Sequence, residues 1–246
     1  MAHADPRIFD GTAFDAALRG GSNDSPIQSL TLFRAALRDG RAALRELYQA
    51  GTNVDTLLRR HAGLVDELLT RAWALHQPLI NPTTAMDGGS AEREAVPTGT
   101  NAGAVFPQIN IALVAVGGYG RSELYPHSDV DLLLLLERDT HNQVRPFVEA
   151  FLRFLWDMGL EVGHSTRSLK DCVTESRKDI TVATNLMEAR LLIGDPALFA
   201  SMRVKTGPAK LWPSPKFFAA KFAEQRARHA RFDATAYNLE PNIKEG

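Results

Sequence analysis

Two aspartates, Asp129 and Asp131, open an otherwise apolar run in "SDVDLLLLLE". A buried carboxylate without compensation is costly, so a pair of them at the start of a leucine-rich strand calls for a purpose. Strand side chains alternate between faces, which puts Asp129, Asp131, Leu133 and Leu135 on one side and Val130, Leu132, Leu134 and Leu136 on the other. The two carboxylates then stand side by side, with Cα atoms roughly 6–7 Å apart from the strand rise. That spacing suits one hard cation. Magnesium commonly takes one or two carboxylates and completes its shell with phosphate oxygens, and a pair of such ions can clamp the attacking and leaving oxygens of an in-line displacement.

Upstream lies "VAVGGYGRSELYPHS". Gly117 and Gly118 end one β-rich run and precede a short helix-forming segment. Backbone N–H groups at such a turn can cradle a phosphate, and the missing side chains let it approach. Arg121 and Ser122 are placed by sequence to add a positive charge and a hydroxyl. Rival motifs fail. Gly118-x-Gly120 is followed by Glu123 where a dinucleotide fingerprint needs its third glycine, and no phosphate-binding loop of the Gly-x-x-x-x-Gly-Lys-Ser/Thr type occurs. Taken singly, Asp129 reads as a turn residue and Asp131 as half of a structural ion pair. Together, behind a double glycine, they read as a metal-and-triphosphate site.

The elements that must position this site follow from periodicity. Leu32, Phe33, Leu37, Ala43, Leu44 and Leu47 recur at helical steps, and Leu57, Leu58, Leu64, Val65, Leu68 and Leu69 do so after the break at "AGTN". A helical hairpin is expected there, preceded by a loose stretch over residues 1–26. Ile109 to Val116 reads as a strand, Val130 to Leu136 as a second and Glu161 to Arg167 as a third. An amphipathic helix spans 143–158. "ITVATNLMEARLLIG" reads as one helix stopped by Gly194, and Asp195-Pro196 as a cap and first helical turn. A last helix places Phe218, Phe222, His229 and Phe232 on one face. The expected organisation is a helical lead-in (1–76), a Pro/Gly/Thr-rich loop (77–107), an α/β (α+β) core on a small mixed sheet (108–178) and a helical region (179–246).

Composition bounds the rest. The chain has 246 residues, 44% hydrophobic and 23% charged, with a net charge of −1 and a single cysteine. No global basic field favours nucleic acid or a membrane surface, and no intrachain disulfide can form. The N-terminus lacks the pattern of a secretory signal, and the longest apolar run is too short to span a bilayer. A cytoplasmic protein is expected, with no nucleic-acid or membrane partner. Cys172 reads as an inert packing residue. The basic residues Lys216, Lys221, Arg226, Arg228 and Arg231 read as a solvated helix face that could attract a triphosphate or an acidic surface.

"VGGYGRSELYPHSDVDLLLLL" resembles the polymerase-β-like nucleotidyltransferase pattern of a diglycine, a spacer and Asp-hydrophobic-Asp. With "GLEVGHSTRSLKDC", "DITVATNLMEARLLIGDPALF" and "YNLEPNIKEG", the chain from Ile111 to Gly246 is similar to the N-terminal domain of the bacterial PII uridylyltransferase/uridylyl-removing family; the first hundred residues resemble it only as a helical lead-in. The resemblance implies a Mg²⁺-dependent transfer of UMP from UTP to a tyrosine of the PII nitrogen-regulatory protein, with release of pyrophosphate. It also implies Asp129 and Asp131 as metal ligands and catalytic residues, and Gly117, Gly118, Arg121 and Ser122 as nucleotide-binding residues. Adenylylation of glutamine synthetase, modification of a small molecule, and a catalytically inactive nucleotide sensor or PII-docking module stand as alternatives. Uracil preference is not encoded in any residue pattern and comes from the resemblance alone.

One departure stands out. The superfamily's third carboxylate would align with Gly163 or His164 in "LEVGHSTRS". Asp171, Asp179 and Glu188 are candidates to replace it or to act as base. His164 and Arg167 alternate, so one of them faces the site; Asn185 and Glu188 could line the cleft. No His-Asp dipeptide is present, so uridylyl removal is not expected of this chain, nor is glutamine sensing. The chain's last residues lack a natural stop, and truncation from a longer protein is expected.

Overall fold

The computed structural model describes residues 5–20, 26–80 and 109–230. Three helices come first: α1 (Gly11–Gly20), α2 (Pro26–Gln49) and α3 (Val54–His76). The break between α2 and α3 falls at the predicted Ala50–Asn53, because Asn53 caps α3 by accepting from the backbone N–H groups of Asp55 (2.9 Å) and Thr56 (3.4 Å). Residues 5–20 are not a loose lead-in. Ile8, Phe9 and Phe14 are buried, and Phe14 sits edge-on to Phe33 of α2 at 4.9 Å. Their apolar surface outweighs the Gly, Asp and Ser content that made the segment look irregular. Of the expected loop, Gln77–Leu79 forms a 3₁₀ turn; residues 81–108 lie outside the described residues.

The sheet has four strands, β1 (Ile111–Ala115), β2 (Val130–Leu136), β3 (Val162–Ser168) and β4 (Arg190–Ile193), in the order β3-β2-β1-β4. β1 runs antiparallel to β2 and β4, and β2 runs parallel to β3. The parallel pair needs a crossover, supplied by α5 (His141–Met158). The mixed sheet is as expected from the sequence. The expected single helix over 180–194 is not: α7 (Ile180–Met187) ends, and Arg190–Ile193 becomes β4 on the free edge of β1. A four-residue apolar run has no period long enough to distinguish strand from helix. Here the unpaired edge of β1 decides it.

Both faces of the sheet are covered, which is why β2 is a leucine run rather than an alternation. Leu132, Leu134 and Leu136 pack with Leu68, Phe147 and Phe151 from α3 and α5. Leu133 and Leu135 pack with Cys172, Leu186, Leu198 and Met202 from α6 (Leu169–Lys178), α7 and α8 (Pro196–Thr206). Cys172 is fully buried, and burial pushes its thiol up to about 12, consistent with packing rather than reactivity. Asp195 caps α8 as predicted, accepting from Ala197 N–H at 2.7 Å. After α9 (Pro208–Leu211), α10 (Ser214–Ala230) carries Phe218 and Phe222 stacked at 6.1 Å and exposed. The side chain of His229, and Phe232 altogether, lie outside the described residues.

Helix α3 also holds the segment that joins the diglycine to β2. His61 is buried, and its Nδ1 lies 3.0 Å from the carbonyl of Leu124, which is itself buried. A carbonyl can only accept, so Nδ1 donates, and burial favours the neutral ring. Burial, offset in part by the Leu124 hydrogen bond and reinforced by Arg41 and His127, lowers the His61 pKa from 6.5 to about 4. Between those values the unfolded chain binds the extra proton, so stability contributed at neutral pH is lost as pH falls from about 6.5 towards 4. The expected loss is about 3 kcal/mol at most. Urea titrations across that range should show it, and His61→Leu should flatten the same part of the slope whatever it does to stability at neutral pH.

Candidate active site

The site assembles where β1 ends and β2 begins. After β1 the chain turns at Gly117 into α4 (Gly117–Gly120), a single helical turn. Gly117 has φ of +60°, a region an L side chain enters only with strain. The turn is tied to β2 by the Val116 N–H donating to the Asp131 carbonyl at 3.1 Å. A Cβ on Gly117 would stand 3.3 Å from Asp131 Oδ2 and 3.9 Å from Asn185 Oδ1. The diglycine turn therefore lies directly against the second aspartate, with the Asn185 amide of α7 facing the same spot.

Gly163 closes the other side. The β2–β3 register pairs Asp131 with Gly163. A Cβ on Gly163 would fall 2.5 Å from Asp131 Oδ1 and 3.9 Å from Asp129 Oδ2. Both carboxylates thus converge on the space that this missing side chain leaves. The alternation read from the sequence puts Asp129 and Asp131 on one face, and the structure brings their oxygens to a common place. Both residues are partly exposed, as an entering ligand requires. Two hard carboxylates beside a glycine are a donor set suited to a divalent cation that draws its remaining ligands from phosphate and water. Among the described residues, no cluster of three or more His, Cys, Asp or Glu side chains has metal-binding spacing.

The other candidates separate clearly. His164 is exposed on the opposite face, 6.0 Å from the Trp156 ring, in a groove of about 440 Å³ between α5 and β3. By register Arg167 shares the face of Asp131 but pairs with Leu135, four residues further along the strand. Asp171 completes a capping box with Ser168, and Asp179 caps α7 by accepting from Thr181 N–H at 2.7 Å. Glu188 does approach the turn, through Arg121: the guanidinium donates to Glu123 at 2.8 Å and to Glu188 at 2.7 Å. Its Nη2 lies 3.7 Å from where a Cβ of Gly118 would be, so Arg121 overhangs the diglycine as its spacing anticipates. Ser122 takes the left-handed conformation, φ 61°, and its N–H donates to the Tyr119 carbonyl at 3.0 Å. Of the basic residues of α10, Lys216 and Arg226 are exposed and Lys221 pairs with Glu224 at 2.8 Å. The side chain of Arg228, and Arg231, lie outside the described residues.

Three residues that the sequence did not single out also belong here. Tyr119, between the glycines, is buried, and its hydroxyl donates to Asp66 of α3 at 2.5 Å. Arg190 of β4 donates to both oxygens of Asp66, at 2.7 and 3.1 Å. Burial first, then the Asp66 charge, push the Tyr119 hydroxyl well above its ordinary pKa, so it remains a donor. The one local signal was an aromatic with a polar tip set between glycines.

Comparison with known proteins bears on the whole chain. A family model described as a nucleotidyltransferase, DUF294, matches residues 38–166, and a GlnD PII-uridylyltransferase model matches residues 216–246. The chain is 42% identical over 244 residues to a bifunctional uridylyltransferase/uridylyl-removing enzyme of Pseudomonas putida, covering 99% of this chain and 24% of that relative. Enzymes of the same description from Stutzerimonas stutzeri and Pseudomonas aeruginosa are each 41% identical over the same shares. The chain spans about a quarter of the length of these relatives. Similarity reaches into the helices before residue 100, where the sequence patterns offered only a generic helical lead-in.

Proposed function

Since the chain belongs to the DUF294 nucleotidyltransferase family, we propose that it transfers UMP from UTP to a tyrosine hydroxyl of the PII nitrogen-regulatory protein, with magnesium. The convergence of Asp129 and Asp131 on the space beside Gly163, against the diglycine turn, carries this reading. Its relatives, uridylyltransferase/uridylyl-removing enzymes, favour uridylyl transfer over adenylyl transfer; the match to the GlnD PII-uridylyltransferase family supports PII as the acceptor.

In this reaction the acceptor tyrosine oxygen forms a bond to the α-phosphorus of UTP. The bond from that phosphorus to the bridging oxygen of pyrophosphate breaks, and the tyrosine proton leaves to solvent or a base. Asp129 and Asp131 would hold magnesium, which when bound neutralises charge on the triphosphate and the departing pyrophosphate. Gly117 and Gly118 admit the phosphates to the backbone because no Cβ stands in the way. Arg121 supplies a guanidinium beside the turn, and the carboxylates of Glu123 and Glu188 hold it there until phosphate oxygens compete for it. Asn185 offers an amide at the same edge.

The test is transfer of label to purified PII from UTP or ATP in the presence of Mg²⁺. Label from UTP alone is expected. Label from ATP alone would reassign the reaction to adenylyl transfer, and nucleotide binding without transfer would reassign the chain as a sensor.

A further inference from the structure

We infer that Asp66, on helix α3, is a positioning residue for the diglycine turn, acting through Tyr119 and Arg190. This inference rests on the reading of that turn as the seat of the triphosphate. Gly117, Gly118 and Gly120 have no side chains with which to anchor themselves, and glycine backbones carry the largest conformational freedom to be restrained. Tyr119 is the one large side chain in α4, and it is 2% exposed. It is gripped at both ends. Its hydroxyl donates to Asp66 Oδ1 at 2.5 Å, and its carbonyl accepts from Arg190 Nη2 at 3.3 Å. Arg190 is itself fixed by the two-pronged contact with Asp66, and its guanidinium lies over the Tyr119 ring, 5.4 Å from the centroid.

The grip joins three pieces of chain, α3, α4 and β4, with Asp66 lying 53 residues from Tyr119 and 124 from Arg190. Burial opposes the charge on Arg190, but the Asp66 carboxylate outweighs it, so Arg190 keeps its charge in the anchor, with the phenol as a third member. Such a pair is planar and bidentate, and it fixes orientation as well as distance. A helix outside the sheet thereby sets where the turn stands relative to Asp131, and with it how well a triphosphate fits.

A role in overall stability alone would leave a different trace from a role in placing the turn. The experiment uses the 246-residue chain with Tyr119→Phe, which deletes one hydroxyl and leaves the Asp66–Arg190 pair, and with Asp66→Asn. Hydrogen exchange read on the peptide containing residues 117–121 should quicken about tenfold in Tyr119→Phe, from loss of a hydrogen bond to a charged acceptor. Peptides from β2 and β3 should be unchanged. In steady-state transfer to PII, KM for UTP should rise about five- to tenfold, while kcat and KM for PII stay within about twofold. Asp66→Asn should give the larger rise of the two.

Unchanged exchange at 117–121, or an unchanged KM for UTP with a lowered melting temperature, would overturn the inference and leave a mere fold staple. If Asp66→Asn fails to fold, Tyr119→Phe decides alone. The exchange measurement does not depend on catalysis. A wild-type chain that binds no nucleotide would therefore defeat the proposed function while exchange still ruled on the anchor.

Discussion

Asp129→Asn and Asp131→Asn are each expected to lower transfer at least about 10³-fold, with the melting temperature little changed. Several kcal/mol of charge stabilisation from a bound ion corresponds to that loss. An amide keeps the size and shape of the carboxylate but lacks its charge, so the site stays open and loses its hold on a hard cation. The fold should tolerate the change, because both side chains are partly exposed and the leucines that follow carry the packing. The measurement is initial rate of UMP transfer to PII alongside thermal unfolding and magnesium titration. A double variant with full activity would end the metal-ligand assignment.

Gly163→Ala should be nearly as damaging while adding only a methyl group. Its Cβ would arrive 2.5 Å from Asp131 Oδ1, so the carboxylate must move. A displacement of about 1 Å in a group that positions the reacting atoms can cost about 10²-fold, and that is the expected fall in kcat/KM. β3 should persist, since alanine is no worse a strand residue than glycine and its pairing with β2 is made through the backbone. Gly163→Asp tests the converse idea, that this position is simply missing the third carboxylate of the wider superfamily. The space beside Asp131 is too small for it, and the variant should be inactive. Activity above wild type would show that the position can take a third ligand. Magnesium titration of both variants separates a lost cation site from a misplaced triphosphate.

The absent third carboxylate looked like a defect when only the order of residues was in view. The register turns it into a property of the site, because a glycine opposite Asp131 leaves room for both aspartates to converge. His164, its neighbour, faces Trp156 on the far side of the strand. The β4 strand was hidden for a related reason. "RLLI" is too short to show a period, and its conformation is set by a partner, β1, that lies about eighty residues earlier in the chain. Ile8 and Phe9 lie in the turn before α1, and Phe14 in a short helix bordered by glycine, so no local period marks them; only the cluster around Phe33 shows where they go.

What the sequence alone determined was local. Period-two alternation put Asp129 and Asp131 on a common face, the double glycine marked a turn, and Asp195 announced its helix, all through geometry that spans a few residues. What only the tertiary structure decided was which side chains meet from afar. Gly117, Asp131, Gly163 and Asn185 come from β1's turn, β2, β3 and α7. Asp66, Tyr119 and Arg190 come from three elements spread across 124 residues. Strand register and helix docking are set by burying both faces of one sheet, and that free energy belongs to the whole chain rather than to any segment of it.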